Sequence, residues 1–352
     1  MASFPPLSRL RLDPYIAALL ATVAVASLLP ARGAVALGLH RAIAVAIALL
    51  FFLYGARLST KEALDGLRHW RLHSVVLAST YVLFPLLGLG ARLLPATVLT
   101  PELWAGLMFL CCLPSTVQSS IAFTSIARGN VAAAICGASF SNLVGIVVTP
   151  LLVALFLFTK GGGVSLESVR SIMVQLLAPF VAGQLLRRWV GGFVVRNKKV
   201  LGLADRGSIL LVVYAAFSDG VVAGIWGRIT PVSMLILLAV NVVLLAIVLA
   251  TTTLLARKLR FSVDDEITIV FCGSKKSLAS GVPMATVLFS GQTVGLIVLP
   301  LMVFHQIQLM VCAWLARRYA ARPVEPTPSV SDGTVASIRK PSSTSLQAER
   351  PA

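Results

Sequence analysis

The sequence has little charge. Asp, Glu, Lys and Arg make up 12% of its 352 residues, against about 25% in a soluble domain. Acid is scarcer still, with 13 Asp and Glu against 30 Lys and Arg and a net charge of +17. The five cysteines (Cys111, Cys112, Cys136, Cys272, Cys312) and four histidines form neither a disulfide framework nor a metal-type Cys/His spacing. All five cysteines fall in apolar runs, so the adjacent Cys111 and Cys112 read as small packing residues. There is no His-Glu-x-x-His, no Gly-x-Ser-x-Gly and no aspartate pair within the apolar runs. No enzyme activity, cofactor or metal site is expected. The basic excess does not point to nucleic acid either, because the charges lie between apolar runs and not on a separable basic domain.

What is abundant is apolar surface: 57% of residues are hydrophobic and the mean hydropathy is +0.91. A hydrocarbon core takes roughly 20 apolar residues per helix, and backbone facing lipid has to be helical. Runs of this kind fall at 14–31, 40–58, 74–94, 103–126, 131–158, 167–189, 206–227, 231–256, 265–290 and 292–316. They predict an all-α polytopic membrane protein with about ten transmembrane helices. The lipid bilayer is thus the first expected partner. The first run follows Arg9 and Arg11 and is expected to be a start-transfer helix, not a cleaved leader. The expected layout is an N-terminal segment 1–13, two halves at 14–158 and 159–320, and a tail at 321–352. The tail is rich in Pro, Ser and Thr without apolar periodicity and is expected to be disordered.

Of the 30 basic residues, 22 fall on one set of alternate inter-span segments and 6 on the other. The remaining two, Lys275 and Lys276, lie inside the ninth run. The positive-inside rule then puts both termini in the cytoplasm of a plasma or inner membrane and calls for an even number of spans.

Two runs are not plain helices. The fourth reads LCCLPSTVQSSIAF, with Pro114 followed by Ser115, Thr116, Gln118, Ser119 and Ser120. The ninth reads FCGSKKSLASGVPM, with Gly273, Ser274, Ser277, Ser280, Gly281 and Pro283 around the two lysines. Proline removes a backbone donor and glycine weakens a helix interior, so both runs are expected to break, at Pro114 and at Gly273, Gly281 and Pro283. The runs that follow share a Pro-Leu step, Pro150-Leu151 and Pro300-Leu301. Broken helices at matching positions of two five-helix halves are the pointer to a secondary transporter built from inverted repeats, with ions and substrate bound where the breaks cross. Ordinary proline kinks in packed helices are the competing reading.

Ionisable residues within spans are costly and usually functional. Here they are Asp219, Lys275, Lys276 and His305. Adjacent lysines diverge by about 100° on a helix, so they cannot share one direction. Asp219, the only acid deep in an expected span, is their natural counter-ion. Together they make either a gate, proton relay or built-in cation, or a structural ion pair. His305 reads first as a hydrogen-bonded packing histidine. Ser141 and Asn142, in the middle of the fifth run, either face the break in the fourth or serve close packing.

These segments carry a resemblance. FFLYGARLSTKEAL at 51–64, GNVAAAICGASFSNLVGIVVTPLL at 129–152, PFVAGQLLRR at 179–188, YAAFSDG at 214–220 and FCGSKKSLASGVPM at 271–284 resemble the bile acid:sodium symporter superfamily. More closely, the chain is similar to the branch of solute carrier family 10 member 7, the sodium/bile acid cotransporter 7-like proteins. The resemblance implies ten helices in two inverted five-helix repeats, with broken, crossing helices four and nine in a core domain against a panel domain. In bile-acid-transporting members, sodium ligands come from a Ser-Asn pair in span four, a threonine in span five, and a Glu and a Gln in span nine. The matching positions here hold Ser119 and Ser120, Asn142, Cys272 and Lys276. Loss of the carboxylate and gain of an ammonium weaken cation binding sharply, so sodium coupling is not expected to carry over. The expected function is symporter-like transport of a small organic anion or inorganic ion, with Lys275 and Lys276 favouring an anion. Because the eukaryotic branch is tied to calcium homeostasis, the alternative is a membrane regulator of cation homeostasis.

Overall fold

The computed structural model describes residues 14–57, 69–95, 99–157, 166–222, 224, 230–289 and 294–322. The expected N-terminal segment 1–13 and the tail from 323 onward lie outside these residues. Every regular element among the described residues is helical. In chain order these are α1 (Pro14–Leu28), α2 (Gly33–Arg57), α3 (Trp70–Leu93), α4 (Pro101–Cys112), α5 (Gln118–Ile126), α6 (Val131–Leu157), α7 (Leu166–Arg196), α8 (Lys198–Val222), α9 (Pro231–Lys258), α10 (Val263–Gly273), α11 (Leu278–Leu288) and α12 (Val294–Ala320).

Local chemistry sets several boundaries. Thr100 and Thr230 each cap a helix with the side-chain oxygen and are each followed by proline at the first helical position. Ser262 caps α10, whose first turn carries Asp264, Asp265 and Glu266 toward the positive end of the helix dipole. Inside α3, a π-helical turn at Ser79–Leu83 shifts the hydrogen-bond register.

Six helices among the described residues are long and apolar enough to cross a bilayer: α2, α3, α6, α9, α12 and the Val200–Val222 part of α8. The expected runs 103–126 and 265–290 fall short because each is two helices, α4 with α5 and α10 with α11. Pro114 drives the first division. The residue before a proline is pushed out of the helical region, and Leu113 is extended (φ −77°, ψ 156°). The second division follows Gly273, with Ser277 extended (φ −82°, ψ 109°). Gly281 and Pro283 do not break the chain. Both lie inside α11, where Pro283 forfeits only the bond to the carbonyl four residues back.

Two helix pairings stand out in the packing. α2 runs along α7, and α1 packs on α8. The α2–α7 contact is backbone on backbone: a Cβ on Gly55 would collide with the Phe180 carbonyl, and one on Gly183 with the Phe52 carbonyl. These four helices and most of the others share one apolar core, in which Phe84 meets Phe304 edge-on at 5.9 Å and Phe109 meets Phe289 at 5.3 Å. Large apolar side chains such as Val45, Leu86, Leu151 and Val243 are exposed on the outer faces, the inverse of a water-soluble surface. At one end, Arg257 holds Glu266 through both carboxylate oxygens at 3.1–3.2 Å, and the Tyr319 hydroxyl donates to the same carboxylate at 2.9 Å. Arg71 donates to the Leu259 carbonyl and Asn130 to Asp265 at that same end.

Candidate functional site

The two unwound stretches, 113–117 and 274–277, meet in the protein interior. The Ser277 N–H donates to the Pro114 carbonyl at 2.9 Å, so backbone from one break pairs with backbone from the other. A helix that stops inside a protein leaves carbonyls at its C-terminal end without partners, and here almost every one is accounted for. At the end of α4, the Lys276 ammonium donates to the Cys111 carbonyl at 2.9 Å and the Leu113 carbonyl at 2.7 Å. Thr149 donates to Cys112 at 2.8 Å, and Asn142 to Ser115 at 2.6 Å. At the end of α10, the hydroxyls of Ser120 and Ser115 donate to the carbonyls of Phe271 (3.0 Å) and Cys272 (2.6 Å). Each break thus caps the helix that ends at the other.

Lys276 is fully buried. Its third donor reaches the Thr80 carbonyl in the π-helical turn at 2.8 Å, and the ammonium lies 4.1 Å from the centroid of the Phe84 ring. Three N–H groups therefore meet three carbonyls, with an aromatic face behind them. Two of those carbonyls close α4, where the helix dipole favours a cation. Lys275, equally buried, has a different setting. It donates to the Ser119 carbonyl at 2.8 Å and lies 4.0 Å from the Phe123 ring centroid and 5.4 Å from that of Phe271. Among the described residues no carboxylate pairs with either ammonium.

The expected counter-ion is elsewhere. Asp219 lies 3.4 Å from His40 Nε2, with both side chains about half exposed. α8 simply turns that residue toward α2, a direction the sequence does not encode. Nor do the side chains of Ser119, Ser120 and Asn142 surround Lys276. Ser119 offers its carbonyl to Lys275, Ser120 caps α10, and Asn142 bridges the breaks by donating to Ser115 and accepting from Ser280 at 2.9 Å. Ser141 accepts from the Ser115 N–H at 3.1 Å, Ser274 turns back on the Val270 carbonyl, and the Cys272 thiol points at the Ala134 carbonyl from 3.9 Å. Sequence reasoning missed Thr80, Thr149 and Gln308. Gln308 is fully buried and pairs with the Lys276 peptide, accepting from its N–H at 2.9 Å and donating to its carbonyl at 3.0 Å. Its one legible signal was position, three residues after His305 in an otherwise apolar helix.

Beside the junction lies a cavity of about 660 Å³. Its polar end is made by the first turns of the two continuing helices, Thr116 to Ser119 leading into α5 and Ser277 to Ser280 leading into α11, with Asn142 and His305 alongside. Phe51, Ile146, Phe180, Ile209 and Met284 form an apolar band, and Arg57 and Arg206 add positive charge. Among the described residues, none that lines it is acidic. Of the residues singled out from sequence, Ser119, Asn142, Ser277 and His305 line this cavity. Ser120, Ser141, Cys272, Ser274, Lys275 and Lys276 form the junction behind it, and Asp219 belongs to neither.

Apolar helices around a polar junction whose helix-end carbonyls are almost all hydrogen-bonded define an integral membrane protein. The comparisons sharpen that class. A model of the SBF-like CPA transporter family matches residues 13–321. The uncharacterized protein PA2026 of Pseudomonas aeruginosa is 56% identical over 311 residues, 88% of this chain and 93% of that protein. YfeH of Escherichia coli (strain K12), which carries the provisional name of a symporter, is 55% identical over 309 residues, 88% of this chain and 93% of its own length. Sodium/bile acid cotransporter 7 of Xenopus tropicalis is 30% identical over 342 residues, covering 92% of this chain and 98% of that protein. The chain belongs to the SBF-like CPA transporter family, of bile acid:sodium symporter type. It is a membrane transporter for a small solute and not an enzyme.

Proposed function

We propose that the protein is a ten-span secondary carrier of a small organic anion, built from inverted repeats at 14–158 and 159–320, that works without sodium. The observation that carries this reading is the cavity. Two half-helices begin at it with their N-terminal ends, where backbone N–H groups and the helix dipole favour negative charge. Among the described residues, Arg57 and Arg206 line the cavity and no acid does. The apolar band suits the non-polar body of an organic anion.

The repeat reading is supported by packing that interchanges when the halves are swapped. The α1–α8 pair becomes α7–α2, the α5–α6 pair becomes α11–α12, and Pro150 inside α6 matches Pro300 inside α12. On this reading, α4 with α5 and α10 with α11 are the crossing fourth and ninth spans. The clustering of Arg71, Asn130, Arg257 and Tyr319 at one end fits the basic, cytoplasmic side, with both termini there, in the inner membrane of a bacterial cell. Sodium independence rests on Lys276, whose ammonium fills a cradle of three carbonyls and supplies in cis the charge that an external cation would bring.

The test is uptake into proteoliposomes of a panel of labelled organic anions, including taurocholate, a sulfated sterol and small dicarboxylates, with sodium present or replaced by choline. Uptake of at least one anion at equal rates in both media is expected. Uptake that disappears with sodium would overturn sodium independence. Movement of calcium but of no anion would overturn the substrate class.

A further inference from the structure

Gln308 does more than hold the Lys276 peptide. Its Nε2 also lies 2.8 Å from Nδ1 of His305, and His305 lines the cavity. The peptide decides which amide atom is which: the Lys276 N–H needs the oxygen, and the Lys276 carbonyl needs an N–H. Nε2 then directs its second hydrogen at His305, so Nδ1 must accept. The neutral ring therefore carries its proton on Nε2. A proton added at Nδ1 would set two N–H groups face to face. That contact cannot persist, and either the ring turns or the Gln308 amide rotates. When the amide turns its oxygen to the ring, the Lys276 N–H loses its acceptor at the unwound residue whose side chain caps α4.

The surroundings decide what stabilises that extra proton. Among the described residues, the elements near His305 bring Tyr54 and Arg57 of α2 and Arg206 of α8 to the cavity wall, Lys275 and Lys276 to the junction, the buried thiols Cys111 and Cys112 on α4, whose Glu102 is in its first turn, and the buried thiol Cys312 on the helix of His305 itself. α5 and α11 bring no titratable group, the charges of α9 (Arg257 and Lys258) are at its end, and Asp219 of α8 is with His40. His305 lines the cavity, so a proton on its ring and an anion in that cavity attract each other directly. Anion and proton then favour each other by the same factor, as linkage requires.

We propose that His305 is a proton-binding site whose protonation releases Gln308 from the Lys276 peptide, and that this proton is taken up together with the anion. No bond other than N–H is made or broken: Nδ1 gains a proton from water, the Gln308 N–H···N contact is lost, and the proton leaves when the anion does. The uptake half rests on the organic-anion reading above. The switch half does not.

The experiment has two arms. In the first, hydrogen exchange of the purified full chain in detergent, corrected for intrinsic pH effects, is followed at residues 274–278 from pH 8 to pH 5. The Lys276 amide should exchange about five- to tenfold faster at the acid end, the worth of one or two net hydrogen bonds. The Ser277 amide, bound to Pro114, is the internal reference. His305→Gln keeps a neutral acceptor at this position and should abolish the pH response with protection retained, whereas Gln308→Leu should lose protection at every pH. A response that survives unchanged in His305→Gln, or an unprotected Lys276 amide in the wild type at pH 8, overturns the switch. In the second arm, proteoliposomes loaded with a pH-sensitive dye receive taurocholate or another panel anion. Internal acidification with the wild type and none with His305→Gln is expected. Anion uptake that moves no protons overturns the coupling. If no anion is taken up while the exchange switch is present, the anion reading fails and the proton site stands.

Discussion

The two helix breaks solve the same problem with different chemistry. At the end of α10 the orphan carbonyls are met by neutral hydroxyls, Ser115 and Ser120. At the end of α4 they are met by an ammonium that also reaches Thr80. The hydroxyl arrangement caps one helix and nothing else. The ammonium arrangement caps a helix and ties α3 to α4 and the second break. A buried charge need not be an ion pair: with a full set of carbonyls and an aromatic face, no carboxylate is required to hold Lys276.

The comparison can be broken most forcefully at Lys276. Lys276→Met leaves the Cys111 and Leu113 carbonyls without donors in a dry interior, a loss on the order of 3–5 kcal/mol. It should lower the denaturant midpoint in detergent by the largest margin of any single change at the junction. A variant as stable as wild type would show the cradle to be incidental. Asn142→Ala comes next, because it takes the donor from the Ser115 carbonyl and the acceptor from the Ser280 hydroxyl, which keeps only Ser277; a loss of about 2 kcal/mol, read in the same unfolding assay, is expected. Ser115→Ala tests the neutral side of the comparison and should lose about 1 kcal/mol, with Ser115→Thr recovering most of it. Lys275→Met should change stability by less than about 1 kcal/mol, because its acceptor, the Ser119 carbonyl, sits within a helix that can use it and the rings welcome an apolar chain. A loss as large as that of Lys276→Met would erase the distinction between the two lysines. Asp219→Asn is the smallest: a half-exposed pair with His40 is worth roughly 0–1 kcal/mol, and thermal unfolding should barely move.

Much of this was legible in the residues. Pro114 and Gly273 mark both divisions because each takes something from the helix that its neighbours cannot restore. The lysines do diverge, one toward Ser119 and Phe123, the other toward Thr80 and Phe84. The missing parts were of two kinds. Backbone acceptors have no side-chain signature, so the carbonyls of Thr80, Cys111 and Leu113 were invisible, as was the π-helical turn that presents the first of them. Partnerships across distant helices were equally hidden, which is why Asp219 suggested the wrong companion and Gln308 suggested none. Gly281 and Pro283 misled for a local reason: they are breakers by type, but the chain had already broken seven residues earlier, at Ser274 on Gly281's side of the junction.

The charge tethered at the junction has an electrical consequence. A sodium ion that binds and leaves contributes its charge only while it is bound, whereas Lys276 and Lys275 remain with the helices that carry them. If those helices shift across the bilayer during a transport cycle, both charges move through the membrane field, and each elementary charge crossing the whole of it is worth about 2.3 kcal/mol per 100 mV. An empty carrier of this kind is drawn toward the negative, cytoplasmic side by the resting voltage. A bound monoanion, the substrate class proposed above, would cancel part of that pull.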